Sequence, residues 1–523
     1  MAETTRDQQR AELHKTIWSI ADDLRGSVDG WDFKQYILGM LFYRFISENL
    51  CTYLKEADGV DYASMDDVTA EIGRVETVNE KGFFILPSEL FCNVLNHVGK
   101  DGMRLREDGK DLNELLEQVF KNIEGSAVGA DSEGDFKGLF DDMDVNSAKL
   151  GNTVAERNAK LVKLITKIGG LDFGGAFQDN HIDAFGDAYE YLMTMYASKA
   201  GKSGGEFFTP QEVGELLARI TLVGKTEVGK VYDPCCGSAG LLLKFAKILG
   251  KDKVRKGFFG QEINLTSYNL SRINMFLHDI NFDKFDIALG DTLKDPRHWD
   301  DEPFDCIVSN PPYSIKWEGK ENTLNIDDPR FSPAGVLAPA SRADLAFTMH
   351  MLSWLATDGT AAIVEFPGVL YRGGAEAKIR KYLVANNFVD AVIQLPSDLF
   401  FGTTIATCIL VLKKSKASND VLFIDASAEF ERVDSKNKLM PAHIDRIMGA
   451  IENRTEEQYF SKLVTNDDII ENDVNLSVSS YVEKKDDREE IDIVELNAEI
   501  ARIVAREDEL RKQIDAIVAD LEA

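Results

Sequence analysis

The chain has 523 residues, 44% of them hydrophobic, which is enough for two or three domains with a sizeable core. Its net charge of −30 argues against a protein that grips DNA phosphates unaided, because such a surface is normally basic. Either the substrate is not nucleic acid or a partner supplies much of the DNA grip; acidity also simply keeps a protein soluble.

Cys51, Cys92, Cys235, Cys236, Cys306 and Cys408 show no CxxC spacing, and two fall in candidate strands. They read as reduced thiols of a cytoplasmic protein with no zinc site. No signal peptide precedes the first helix, and no apolar run reaches membrane-spanning length.

Residues 1–170 are expected to form a helical domain. Leu13, Ile17, Ile20 and Leu24 fall at helical spacing until the glycines at 26 and 30 break the run. A richly apolar helix follows over Trp31–Leu54. Ser88 is a candidate helix cap. Further helices are expected over Leu112–Ile123 and Leu150–Ile168. His14 reads as a helix-surface residue rather than a ligand.

The next domain is expected over 171–475. His181–Ala200 is a helix, followed by Gly201-Lys202-Ser203-Gly204-Gly205-Glu206-Phe207-Phe208-Thr209-Pro210-Gln211. Thr209 would cap and Pro210 would start the next helix. Two phenylalanines beside a glycine run also suit a ligand lid. From there strands and helices alternate. The strands are Lys230–Asp233, Gly257–Ile263, Phe285–Leu289, Phe304–Ser309, Ala361–Phe366, Ala391–Leu395 and Cys408–Leu412. The helices include Ala239–Ile248, Asn264–Leu277, Leu345–Ala356 and Glu376–Ala385. This alternation predicts an α/β fold with a doubly wound, mostly parallel sheet.

Four signals fall on successive strand ends. Asp233-Pro234-Cys235-Cys236-Gly237-Ser238-Ala239-Gly240 is a small-residue turn that lets backbone approach a ligand; it lacks the full GxGxxG pattern, which argues against a dinucleotide. Glu262 ends the second strand, where an acid can accept both hydroxyls of a ribose. Asp291 follows the third strand and can accept from an adenine amine. The fourth strand runs into Asn310-Pro311-Pro312-Tyr313. The prolines stop the strand and stiffen the loop. The Asn310 side-chain oxygen and the Pro311 carbonyl can accept the two N–H donors of a planar amine, stabilising the charge that develops as its nitrogen attacks a methyl donor. Tyr313 can stack on the base and hold it outside the duplex. In this order the four signals point to an S-adenosylmethionine-dependent methyltransferase.

On these motifs the chain closely resembles, over almost its whole length, the modification subunit of type I DNA restriction–modification systems. The resemblance assigns Gly205–Pro210 to the motif that contacts the methionine part of the cofactor, Asp233–Gly240 to the cofactor loop, Glu262 to the ribose acid and Asn310–Tyr313 to the catalytic motif. Phe400-Phe401-Gly402-Thr403-Thr404 resembles a later motif that packs the flipped base. Cys235-Cys236 with Ala239 departs from the family's small-residue pattern, which bears on cofactor affinity. The resemblance implies N6-methylation of adenine, two modification subunits on one specificity subunit, and a motor-nuclease subunit that joins for restriction. Sequence reading would then belong to the specificity subunit, in keeping with the acidic charge. Methylation of a protein glutamine amide and a catalytically dead assembly scaffold are the alternatives. The helical front domain and the tail described below argue against the first, the intact Asn310 and Glu262 against the second.

Tyr371-Arg372-Gly373-Gly374 precedes a helix without a P-loop pattern and reads as a structural turn. Residues 476–523 are expected to form a linker and an assembly helix, with Leu476–Val482 as a connecting segment. Beyond it Ile493, Leu496, Ile500, Ile503, Leu510, Ile514, Ile517 and Leu521 form a heptad seam with one gap, at Glu507. Under the resemblance its partner is the helical spacer of the specificity subunit.

Overall fold

The structure, a computed structural model, describes residues 33–96, 98, 111–171, 209–400, 403–433, 436–484 and 493–522, with positions 14, 15, 17, 19, 186, 188 and 190–192. The chain divides into two compact units, Met1–Val482 and Glu483–Ala523.

The front of the first unit is helical because its apolar residues recur every three to four positions. Helix α1 (Phe33–Asp58) buries Ile37, Leu41 and Phe45. Helix α2 (Leu112–Ser126) buries Leu115, Leu116, Val119 and Ile123. Helix α3 (Val154–Gly169) opens on a capping box in which Glu156 N donates to Thr153 Oγ1 and Thr153 N to Glu156 Oε2, both at 3.2 Å. Two expectations change here. Ser88 lies inside the short 3-10 helix Pro87–Glu89 rather than capping one, and its N–H donates to Asp67 Oδ1. His14 is half-buried and stacks on Tyr191 with ring centroids 4.0 Å apart.

Behind the front lies helix α4 (Gln211–Thr221), then the sheet. Strands β1 (Val228–Asp233), β2 (Val254–Glu262), β3 (Phe285–Leu289), β4 (Phe304–Ser309), β5 (Leu355–Glu365), β6 (Val389–Gln394), β7 (Cys408–Lys413) and β8 (Asp420–Asp425) are followed by the hairpin of β9 (Glu431–Val433) and β10 (Lys436–Lys438), and by β11 (Ser461–Thr465). The nine-stranded sheet runs β11-β8-β6-β7-β5-β4-β1-β2-β3. Its pairs from β3 to β5 are parallel; β7 is antiparallel to both neighbours, and β11 to β8. All seven predicted strands are present. The sequence pattern alone did not reveal β8, β11 or the direction of β7, because a short apolar run carries no sign of which way its neighbour points.

Helices α5 (Gly240–Leu249), α6 (Leu265–Leu277), α7 (Asp344–Trp354), α8 (Ala375–Ala385) and α9 (Pro441–Asn453) cover the sheet. Arg272 of α6, only 1% exposed, ties the front to the sheet: its Nη1 faces the carbonyls of Gly134, Asp135 and Lys137, each at 3.0 Å. Three carbonyls and the Asn269 side chain take up the two terminal nitrogens of a guanidinium that burial would otherwise penalise. The segment 476–482 is not a free connection. Leu476, Val478 and Val482 are buried in the core, and Leu476 N donates to Leu370 O. Gly374, at φ 73°, caps α8, so Tyr371–Gly374 is the expected structural turn.

The described residues of the second unit form helix α10 (Ile493–Glu522) after Glu483 and Lys484, and the described side chains of α10 are all exposed. No helix among the described residues is long and apolar enough to cross a membrane.

Candidate active site

The chain leaves β1 towards β2 on one side, and β4 returns on the other. The carboxyl ends of these strands therefore open a crevice where the strand order reverses, the place open α/β sheets offer a ligand. A cavity of about 310 Å³ sits there. Thr209, Pro210, Gln211, Asp233, Gly237, Ser238, Gly240, Glu262, Asp291, Asn310 and Pro312 all line it. Ala239, Pro311 and Tyr313 are not part of the lining. Glu206, Phe207 and Phe208 lie outside the described residues, as do Phe401 and Gly402 of the later motif; Phe400 is buried.

The turn after β1 is organised from below. Asp233 is 1% exposed; its Oδ1 accepts from Cys235 N at 3.0 Å and from Ser309 Oγ at 2.8 Å, joining the ends of β1 and β4. Burial pushes its carboxyl up to about 7. Gly237 needs its left-handed φ of 53° to turn its N–H onto Glu262 Oε2 at 3.0 Å. Ala239 takes a similar conformation, φ 62°, and caps α5.

Glu262 receives a second backbone bond, from Asn264 N to Oε1 at 2.8 Å. Burial raises its carboxyl above the usual range, and these two bonds oppose the rise. Each carboxylate oxygen keeps a lone pair, so a vicinal diol can still donate to it. Asp291 Oδ1 accepts from Leu293 N at 3.0 Å and Lys294 N at 3.3 Å, which shapes the turn after β3.

Asn310 sits between two partners. Its Nδ2 donates to Thr209 Oγ1 at 3.1 Å, and its Oδ1 accepts from the Tyr313 hydroxyl at 2.6 Å. Both partners are hydroxyls, so together they hold the plane of the amide in place. Thr209 does not cap α4; Pro210 occupies that position, with φ −52° and ψ 140°. Proline suits it because its fixed φ leads into a helix.

Sequence reasoning missed several lining residues. Ile263, 67% exposed directly after Glu262, offers an apolar face where a ring could lie. Leu293, Ile315, Trp317 and Phe347 add apolar wall, and Glu190 and Lys244 line the side nearest α4 and α5. Only Ile263 carried a signal, by standing next to Glu262, the expected ribose acid. The others come from elements distant in sequence.

All six cysteines are unpaired. Among the described residues, Asp286, His298 and Asp301 form a group with metal-ligand composition. His298 Nε2 donates to the Gly260 carbonyl at 2.9 Å, anchoring the β3–β4 connection to β2.

The lining fits an S-adenosyl group: a diol acceptor at Glu262, an acid at Asp291, a close backbone at Gly237 and apolar faces at Ile263 and Leu293.

Comparison with known proteins agrees. The N-6 DNA Methylase family model matches residues 180–490, and the HsdM N-terminal domain model matches 13–168. The type I restriction enzyme MpnII methylase subunit of Mycoplasma pneumoniae is 47% identical, over 99% of this chain and 98% of its own. The MjaVII methylase subunit of Methanocaldococcus jannaschii is 32% identical, over 65% of this chain and 59% of its own. The crystal structure of a type I restriction–modification methyltransferase subunit from Streptococcus thermophilus superimposes with a TM-score of 0.81 at 34% identity, covering 91% of this chain and all of that one (100%). The chain therefore belongs to the type I restriction enzyme methylase subunits, built on an N-6 DNA methylase core.

Proposed function

We propose that this protein transfers a methyl group from S-adenosyl-L-methionine to N6 of an adenine rotated out of duplex DNA, with the target sequence chosen by a separate specificity subunit. The observation that carries this reading is the fixed Asn310 amide at the cavity wall, held by Thr209 and Tyr313. Glu262 would hold the ribose hydroxyls, Asp291 the adenine amine of the cofactor, and Glu206, Phe207, Phe208, Thr209, Pro210 and Gln211 its methionine side. When bound, the cofactor supplies an electrophilic methyl group.

Asn310 Oδ1 and the Pro311 carbonyl accept the two N–H groups of the target amine. Both acceptors point negative charge at a nitrogen that becomes positive as it attacks, so they stabilise the transition state more than the ground state. Tyr313, whose hydroxyl holds Asn310 beside the cavity, would have to turn its ring to the base when the base enters, while Pro311 and Pro312 keep the loop from yielding. No strong base is required, because the N6 proton is acidic once the methyl has transferred.

Residues 1–170 act as a helical domain beside the methyltransferase domain at 171–475. The exposed apolar row of α10, from Leu496 to Leu521, supports docking of this helix, the assembly part of residues 476–523, on a partner helix. In this reading two copies assemble on one specificity subunit, a motor-nuclease subunit joins for restriction, and the enzyme is cytoplasmic. That assembly also accounts for the charge of −30, since the partner reads the DNA.

The test is transfer of labelled methyl from S-adenosylmethionine to DNA by the chain alone and with its co-expressed specificity subunit. Label on adenine N6 in the complex only is the expected result. Label from the chain alone would overturn the division of labour, and none in either case would overturn the reaction.

A further inference from the structure

Two fully buried carboxyl groups stand behind the Asn310–Tyr313 loop. Asp344, the first residue of α7, is 1% exposed, and Glu365, the last residue of β5, is 0% exposed. Strand β5 lies beside β4, with Ser309 opposite Ile363, so Glu365 comes level with the residues that follow Ser309. Asp344 Oδ1 accepts the N–H of Ser314, the residue after Tyr313, at 3.0 Å. Ser314 has φ 52°, a conformation uncommon for residues other than glycine. The lacing continues outward: Ala343 N donates to Ile315 O at 2.9 Å and Trp317 N to Ala340 O at 3.0 Å. Thr348, one turn into α7, donates to Glu365 Oε1 at 2.7 Å and lies 3.4 Å from the Asp344 carbonyl.

Each acid leaves one oxygen, Asp344 Oδ2 and Glu365 Oε2, buried and without a partner among the described residues. Buried oxygens of this kind are costly, so they call for a reason. None of these groups lines the cavity, so their action is indirect.

We propose that Asp344 and Glu365 are positioning residues for methyl transfer: Asp344 pins the backbone at Ser314, and Glu365, through Thr348, keeps Asp344 in place. They act through Tyr313, and so on the orientation of the Asn310 amide. The inference rests on the reading of that loop as the methyl-transfer loop.

The pair also gives the loop a dependence on pH. Burial, and then the charge of Asp344, push the Glu365 carboxyl up to about 8. The other groups near it are Glu376 of α8, the Tyr313 hydroxyl and the Cys408 thiol of β7. Glu376 is itself paired with Arg342 and Arg372 at 3.2 and 3.6 Å. Below that value Glu365 is neutral. Above it a negative charge enters the dry space beside Asp344 and pushes that side chain away from Ser314.

The experiment measures kcat, KM and S-adenosylmethionine affinity from pH 6 to 10, using the full chain assembled with its specificity subunit, for wild type, D344A, E365L and E365Q. Amide hydrogen exchange at Ser314 is followed in parallel. D344A should lower kcat by on the order of 100-fold, as a misplaced reacting group does, with cofactor affinity retained and Ser314 protection lost. E365L should lower kcat at pH 7, and E365Q should restore it and abolish the decline that wild type shows above pH 8. Unchanged kcat in D344A, or the same alkaline decline in E365Q, overturns the proposal. If D344A does not fold, the E365Q profile decides alone. A wild type that methylates nothing refutes the assigned reaction instead; Ser314 protection then decides, and its survival in D344A overturns the positioning role.

Discussion

Asn310 donates its Nδ2–H to Thr209 Oγ1 at 3.1 Å, so the residue that leads into α4 also sets the amide meant to receive the target base. The proposed cofactor side and the proposed reacting side of the cavity thus share one hydrogen bond. Thr209→Val keeps the shape and removes the acceptor. It should lower kcat by about tenfold, the kinetic equivalent of roughly 1.4 kcal/mol, which is the usual worth of one such bond. Steady-state kinetics check this, and an unchanged kcat would remove Thr209 from the arrangement.

Removing the amide itself should cost more. Asn310→Ala deletes the acceptor aimed at the developing charge and should reduce methyl transfer by about 100- to 1000-fold, as loss of one oriented electrostatic partner does. Cofactor affinity, measured by calorimetry, should survive. Equal loss of both would mean that Asn310 builds the cavity rather than acting on the amine.

Glu262 is held by two backbone N–H bonds, from Gly237 and Asn264, before any ligand arrives. Glu262→Ala frees both donors and removes the diol acceptor. Affinity for S-adenosylmethionine should fall by about 10- to 100-fold, which corresponds to the 1–3 kcal/mol cost of leaving buried partners unmade. An unchanged dissociation constant would take Glu262 out of the site.

Asp233 gives a stability test with a definite sign. Burial raises its carboxyl from an ordinary 3.8 to about 7. Its folded value lies above its unfolded one, so its contribution is fully present below the lower value and is lost as pH rises through the upper. Asp233→Asn keeps Oδ1 as acceptor for Cys235 and Ser309 without titrating. The unfolding free energy of wild type relative to this variant should therefore fall between pH 4 and 8, by up to roughly 4 kcal/mol. Urea melts at several pH values measure it, and a flat difference would show that Asp233 ionises without penalty.

The exposed row on α10 gives an assembly test. A chain ending near Asp486 keeps the first compact unit, Met1–Val482, whole. It should stay folded and bind cofactor, yet fail to co-elute with the specificity subunit in size-exclusion chromatography. Normal co-elution would mean that assembly uses another surface.

The order of chemistry along the chain was readable from residues alone. Strand runs such as Phe285–Leu289 and Phe304–Ser309 match their predicted bounds, because short apolar stretches closed by Gly290 or Pro311 leave little choice of state. Asp233, Glu262, Asp291 and Asn310 could be put on successive strand ends for the same reason: parallel strands joined by helices bring their carboxyl ends to one side. The apolar row of α10 was equally legible, since helical spacing is local.

What only the tertiary structure decided were contacts between distant segments. Nothing in the sequence says that Thr209 meets Asn310, that Asp233 turns inward to Ser309, or that Asp344 reaches Ser314. Those pairs depend on how helices settle on the sheet, and a backbone N–H or a hydroxyl carries no sequence signature of its partner. The direction of β7 and the burial of 476–482 were hidden for a related reason. Alternation of apolar residues records that a segment is covered, and the packing of the whole chain settles what covers it.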